Sequence, residues 1–474
     1  MNFCKSCENE NKIISFIFIV ALCIRLFCLY YLKSYIIADN WDFGYETGSV
    51  ASAIAGGEGF SSPFREPTGP TALLPPLYPY LLACIFKIFG IFSRESAVVA
   101  LSVNCLFSAL TCIPLYFIGK KLFGREAGYI TTAILAVYPV SVWYAVNTVW
   151  DTAIFTFLCM SLIYGAFLLP GRFTYRNAAL YGILMGITAL LKSVIIAFYP
   201  FLLIWLYIRI SNPNTIRSAE QDRGAEAIFQ KPFQKPSFLK KLGFSEKIHI
   251  FIKPRTPELF RISVLCLAAF GVLFPWLLRN YVMFGRPMIN SNFGLEFKLE
   301  NNMNTWKAFE KTGDSSVFMK AHPTMNPEEF YLYKVVREVI YMKLCLDDAR
   351  TFIREHPGKF IYLTLRRIYY FWCGNLGGNN DWTGNLKVSF SVSGLKKLFS
   401  FLPLPLMLLG IWAAIRRRRH ETEGDLWLIA AYLFSLPLVY YLTHVCARFR
   451  YPLEPMMLLF AVYGLWDMAG RGER

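Results

Sequence analysis

Ile13-Ile-Ser-Phe-Ile-Phe-Ile-Val-Ala-Leu-Cys-Ile-Arg25-Leu-Phe-Cys-Leu-Tyr-Tyr-Leu32 opens the chain with a run apolar enough to enter a bilayer. A hydrocarbon core of about 30 Å needs roughly 20 such residues in a helix, and this run has that length. No small-residue cleavage site follows it, so it reads as a retained first span and not as a removed signal. Further runs of the same kind lie at about 96–118, 127–146, 151–169, 177–191, 193–209, 260–278, 397–415, 426–443 and 452–468. The total is about ten, because 177–191 and 193–209 are short and separated only by Lys192; they form either a bent hairpin or one long tilted helix. The 474 residues are 55% hydrophobic and 17% charged, with a mean hydropathy of +0.38. That composition excludes the row of soluble domains that the length alone would suggest. Aromatic residues make up 17%, which suits a lipid-facing surface with interfacial belts. The expected fold class is an all-α polytopic membrane protein.

Charge gives the orientation. The formal net charge of +17 would suggest nucleic acid in a soluble chain, but in a membrane protein cytoplasmic loops collect Lys and Arg. With the N-terminus inside, one side receives Lys120, Lys121 and Arg125, then Arg172 and Arg176, then the basic stretch from Arg209 to Arg261, then Arg416 to Arg419, and finally Arg471 and Arg474. Nucleic acid is therefore not an expected partner; membrane lipids are. The chain divides into a transmembrane helix at 1–32, an external loop at 33–95, transmembrane helices at 96–210, a basic cytoplasmic linker at 211–258, a transmembrane helix at 259–278, an external segment at 279–396 and C-terminal transmembrane helices at 397–474. In the external loop, Gly44 to Ala55 and Pro75 to Phe89 have the apolar pattern of short interfacial helices.

Several residue types carry little chemistry. Cys23, Cys28, Cys105, Cys112, Cys159 and Cys266 lie in apolar runs, where Cys acts as a small hydrophobe. Cys4 and Cys7 form a lone CxxC without a second pair. His249, His322, His356 and His420 show no metal-ligand spacing, and His444, near an external helix end, reads as a capping or hydrogen-bonding residue. Gly56-Gly57-Glu58-Gly59 lacks the strand and the spacing of a nucleotide-binding loop, which disfavours a nucleotide sugar. No cofactor is assigned; the first-loop acids could bind a divalent metal, but two or three carboxylates do not establish one.

Charged residues inside or at the edge of a membrane are candidates for function. Here they are the acidic first loop, Asp151 at the start of the fourth run, Lys192 between the fifth and sixth, Arg279 just outside the seventh, and Arg448 with Arg450 before the last. The two last-named arginines stand on the external side, against the charge bias. Asp151 is equally placed to serve the helix dipole, and Lys192 to snorkel to the headgroups.

Asp42-Phe-Gly-Tyr-Glu46-Thr-Gly-Ser-Val-Ala-Ser-Ala-Ile-Ala-Gly-Gly-Glu-Gly-Phe60-Ser-Ser-Pro63, with Thr68-Gly-Pro-Thr71 and Pro75-Pro-Leu-Tyr-Pro79, resembles the first external loop of GT-C membrane glycosyltransferases, in particular the family 39-like branch of protein mannosyltransferases and the lipid A aminoarabinose transferase. Phe274-Pro-Trp-Leu-Leu-Arg-Asn-Tyr281, Phe284-Gly-Arg-Pro287, Ser291-Asn-Phe-Gly-Leu295 and Asn301-Asn302 resemble a segment of bacterial members, and Arg448-Phe-Arg-Tyr-Pro-Leu-Glu-Pro455 resembles their last-helix signature. The resemblance implies a GT-C-like bundle in a bacterial inner membrane and inverting transfer of a sugar from a polyprenyl-phosphate donor to a protein, lipid or glycan acceptor. It also implies a first-loop carboxylate at the catalytic centre. The motif points to Glu46, whereas the spacing of eighteen residues before Phe60 points to Asp42; four apart, they would share a face if the stretch were helical. Asp151, Lys192, Arg279, Arg448 and Arg450 would then serve donor and lipid-phosphate binding. A transporter or flippase of lipid-linked sugars is the alternative; it would be expected to show similar halves, and no internal repeat is found.

Overall fold

The computed structural model describes residues 2–64, 66–211, 256–312, 321–373, 398–417 and 420–470. The basic linker expected at 211–258 lies almost wholly outside these residues, as do Arg418, Arg419, Arg471 and Arg474. Among the described residues the chain is helical, with one isolated bridge between Ser61 and Pro70. The helices used below are α1 (Asn2–Leu32), α2 (Glu46–Ala55), α3 (Leu77–Phe89), α4 (Arg94–Leu110), α5 (Cys112–Phe123), α6 (Arg125–Val137), α7 (Pro139–Asn147), α8 (Thr152–Leu168), α9 (Tyr175–Leu191), α10 (Tyr199–Ser211) and α11 (Thr256–Phe284). They continue with α12 (Phe293–Leu299), α13 (Met303–Thr312), α14 (Pro327–Val336), α15 (Glu338–Glu355), α16 (Pro357–Cys373), α17 (Pro403–Arg416), α18 (His420–Leu442) and α19 (Glu454–Met468).

Among the described residues the apolar runs are largely helical. Five helical stretches are individually long and apolar enough to cross a membrane: Asn9–Leu32, Arg94–Phe123, Pro257–Phe284, Leu398–Arg416 and Gly424–Leu442. The pair α6 and α7, bent by 46°, makes a sixth if it is one span, and α3, α8 and α10 are shorter apolar helices. The protein is thus a multi-pass membrane protein. Of the two forms open for 177–209, the structure has the broken one: α9 ends at Lys192 on an extended residue, and a 3-10 turn, Ser193–Ala197, leads into α10.

The bend between α6 and α7 follows from Pro139, which has no N–H to continue the ladder. Freed carbonyls inside a bilayer need donors, and Arg25 supplies them. Fully buried in α1, it donates to the carbonyls of Leu135 and Ala136 and to the hydroxyls of Ser108 and Ser141. Elsewhere helices meet through small residues. Gly182 and Gly186 on α9 face Leu265, Ala269 and Val272 of α11 so closely that a Cβ would not fit, the close-approach packing typical of membrane helices.

Four of the basic residues are held in ion pairs. Glu10 pairs with Lys120 and Arg125, and the buried Asp425 pairs with Arg209 and Lys121. The first loop and the segment that follows α11 meet. Glu338, at the start of α15 and 4% exposed, accepts from the hydroxyls of Thr71, Ser291 (2.7 Å) and Tyr333 (2.9 Å) and from the backbone N–H of Ala72 (2.8 Å). One carboxylate therefore ties the first loop to that segment. α2 and α3 form where interfacial helices were expected in that loop.

Candidate active site

The side chain of Glu46 is aimed by a sharp turn. Asp39 caps the 3-10 turn Asn40–Asp42 by accepting from the Trp41 N–H, and Phe43 buries against Phe86 and Phe92. Gly44 (φ +96°) and Tyr45 (φ +54°) then run through the left-handed region. A Cβ at Gly44 would stand 2.7 Å from the Val149 carbonyl oxygen, so only glycine fits. Tyr45, a bulky residue with positive φ, is the kind of local strain that functional sites hold. The chain enters α2 directly at Glu46. Asp42 and Glu46 therefore do not share one helix: Asp42, exposed, stays in the 3-10 turn, while Glu46 faces inward.

Inward lies a cavity of about 90 Å³. Trp41, Tyr45 and Glu46 line it from the first loop, Trp150 from the turn before α8, Asn292, Leu295, Glu296 and Leu299 from the α12 region, His322 from the turn before α14, and His444, Cys446 and Arg448 from the segment after α18. The Tyr45 ring meets Trp41 and Trp150 edge-on, with centroids 5.8 and 5.2 Å away. The Arg448 guanidinium carbon lies over the Trp150 ring, 2.9 Å from its centre, and the buried Nε has no hydrogen-bond partner. Two carboxylate–imidazole pairs complete the wall. His322 Nε2 is 3.5 Å from Glu46 Oε1, and His444 Nδ1 is 2.8 Å from Glu296 Oε2.

The two carboxyls are driven apart in acidity. Burial raises Glu46 to about 7; the negative charge of Glu296 adds to the rise, while Arg448 opposes it. Burial also acts to raise Glu296, but His444, His322 and Arg448 outweigh it and hold that carboxyl below its ordinary value. One acid then titrates near neutrality beside another that stays ionised, an arrangement suited to proton transfer.

The remaining candidates are engaged elsewhere. Lys192 pairs with Asp151, and the Asp151 side chain makes no capping bond to α8. Arg279, expected just outside the seventh run, sits within α11 and donates to the carbonyls of Thr71 (2.6 Å) and Phe60 (2.9 Å), pinning the first loop to the helix. Arg450 is 5% exposed, pairs with Glu454 at 2.7 Å and donates to the carbonyls of Trp372 and Ser400. Of the expected residues, Glu46 and Arg448 line the cavity; Asp42, Asp151, Lys192, Arg279 and Arg450 do not. Sequence reasoning set aside His322 and His444 and did not single out Glu296. His444 had one legible signal, its place four residues before Arg448. Among the described residues no three His, Cys, Asp or Glu side chains converge as metal ligands.

Residues 74–220 match the family model of dolichyl-phosphate-mannose-protein mannosyltransferases. That model is of the GT-C type, and the match bears out the resemblance drawn from the motifs. Of the expected site residues it contains Asp151 and Lys192. No curated protein matches the chain. Among solved structures, the chain is similar to the Archaeoglobus fulgidus oligosaccharyltransferase AglB in complex with an inhibitory peptide and a dolichol-phosphate, at 16% identity and a TM-score of 0.46, over 97% of this chain and 50% of that one. The apo form of the oligosaccharyltransferase from that organism aligns at 14% identity and a TM-score of 0.45, over 97% and 51%. The chain thus spans about half the length of these proteins.

Proposed function

We propose that this protein is a glycosyltransferase that moves a sugar from a polyprenyl-phosphate donor to an acceptor at the external face of a bacterial inner membrane, with both termini cytoplasmic. The observation that carries this reading is the meeting of Glu46 and Arg448 in one aromatic-walled cavity. Trp41 and Trp150 give the cavity apolar walls beside polar groups that fix a ligand's orientation. The acceptor hydroxyl or amine attacks the anomeric carbon and its proton passes to Glu46. The bond from that carbon to the phosphate oxygen breaks with inversion, and the polyprenyl phosphate leaves with its charge facing Arg448. The family match over residues 74–220 supports a lipid-linked donor.

In this reading the other residues position these two. Asp151 and Lys192 hold the helix ends beside Trp150, Arg279 holds the part of the first loop that follows α2, and Arg450 holds the turn that presents Arg448. The acceptor is a protein, lipid or glycan.

The test begins with mass spectrometry of lipid-linked sugars and glycans in cells with and without the gene. The donor that accumulates is then given to the purified protein. Release of polyprenyl phosphate together with a glycosylated product supports transfer. Movement of intact donor across proteoliposomes without release would replace this reading by transport.

A further inference from the structure

Glu46 faces a histidine whose proton is placed by the backbone. His322 is buried, with Nε2 3.5 Å from Glu46 Oε1. Its other ring nitrogen, Nδ1, accepts from the backbone N–H of Thr324 at 3.2 Å and lies 2.8 Å from the Thr324 hydroxyl. A backbone N–H can only donate, so Nδ1 carries a lone pair. In the neutral ring the proton then sits on Nε2, the atom that faces Glu46. The turn that fixes this geometry is itself anchored. The His322 carbonyl accepts from Met325 and Asn326, and the Asn326 side chain caps α14 by accepting from Glu328 and Glu329. Phe64 meets the imidazole edge-on from the first loop, with centroids 5.9 Å apart.

We infer that His322 is a positioning residue for Glu46: neutral and protonated on Nε2, it donates to one carboxylate oxygen and leaves the other turned to the cavity to receive the acceptor's proton. The inference rests on the reading of Glu46 as the base. Burial lowers the His322 pKa to about 4, with Glu296 opposing and His444 adding, so the ring is neutral where the enzyme works. The same tautomer excludes His322 as the proton acceptor, because Nε2 is already protonated and Nδ1 is engaged. The other charged or titratable groups around Glu46 are less suited to orient it. Glu296, from α12, is an acceptor of like charge; His444 is paired with Glu296; Arg448 lies over Trp150; Tyr45 and Asp42 precede Glu46 on its own loop.

The test uses full-length protein in lipid nanodiscs, with two readouts that need no sugar donor. Nitrogen-15 NMR of labelled histidine, with the His322 signal identified by its loss in His322→Gln, should show the Nε2–H tautomer at neutral pH. Infrared titration of the Glu46 carboxyl, assigned by its loss in Glu46→Gln, follows the second. His322→Ala should raise that titration by about one pH unit, because a donor to the ionised form has been removed. His322→Gln, whose amide can donate, should return it toward the wild-type value. An Nδ1–H ring or an imidazolium in the wild type would overturn the inference, as would a folded His322→Ala protein with an unmoved Glu46 titration. If instead Glu46→Gln kept normal turnover while both readouts came out as expected, the positioning would stand and the assignment of Glu46 as the base would fall.

Discussion

Lys192 Nζ lies 2.8 Å from Asp151 Oδ1 and 3.0 Å from Oδ2, so two residues 41 positions apart neutralise each other. The pair joins the end of α9 to the start of α8, next to Trp150 on the cavity wall. Each side chain is about one-fifth exposed, 21% and 20%, so an unpaired charge there keeps little hydration. Asp151→Asn or Lys192→Met alone is expected to destabilise the protein by about 1–3 kcal/mol. The double variant should recover most of that loss in a thermal-unfolding measurement. Stable single variants that bind donor poorly would instead mark the two as direct donor ligands.

Glu46→Gln should lower turnover by about 10² to 10⁴ with little change in donor binding, because the amide keeps the shape but cannot take a proton. The raised Glu46 pKa of about 7 sets the pH profile. A base must be deprotonated, so turnover should climb as pH rises through 7 and level off above it. Stability runs the other way. The folded state holds this proton more tightly than the unfolded chain, so the Glu46 contribution is full below about pH 4.5, the ordinary carboxyl value, and is lost as pH rises through 7. Turnover that stayed flat from pH 5 to 9 would count against Glu46 as the base.

Arg448 and Arg450 should separate cleanly. Arg448→Gln is expected to weaken donor binding with little effect on unfolding, because the group lies over Trp150 at a cavity wall. Arg450→Gln leaves the buried Glu454 without its partner, and breaking such a pair destabilises by about 3–5 kcal/mol. Donor-binding titrations and melting curves on the two variants decide the matter; equal behaviour would contradict the assignment.

Glu338→Gln should loosen the junction between the first loop and the segment after α11. The carboxylate accepts from Thr71, Ala72, Ser291 and Tyr333, and an amide nitrogen in its place would face donors. A loss of about 2–3 kcal/mol is expected, since hydrogen bonds to a charged group are the stronger kind. Hydrogen exchange should quicken around Thr71 and Ala72 before it does in the bundle. Unaltered exchange there would show that the two segments are held by packing alone.

The orientation is checked by topology reporters. Fusions after residues 125 and 420 should report the cytoplasm and a fusion after residue 300 the outside. The opposite pattern would invert the membrane assignment.

Helices were legible in the sequence because a bilayer demands long apolar runs with internally paired backbones, and that demand is written locally. The short helices of the first loop were legible from their apolar pattern, whereas Lys192 left a break and a continuous helix equally open until the structure decided it. Glu46 stood out through the motif that contains it, and Arg448 as an arginine against the charge bias. Arg450 had a local signal pointing the other way, Glu454 four residues on, which is one helical turn. The rest belonged to tertiary structure. Whether Asp42 shares a face with Glu46 depended on two positive-φ residues, Gly44 and Tyr45, that reverse the chain between them. Glu296, His322 and His444 reach Glu46 from segments hundreds of residues away, and no spacing in the sequence encodes that meeting. Polar side chains act over a few ångströms while the chain separates them by many turns of helix. Their chemistry existed only once Glu338 and Arg279 had fastened the first loop to α11 and to the segment that follows it.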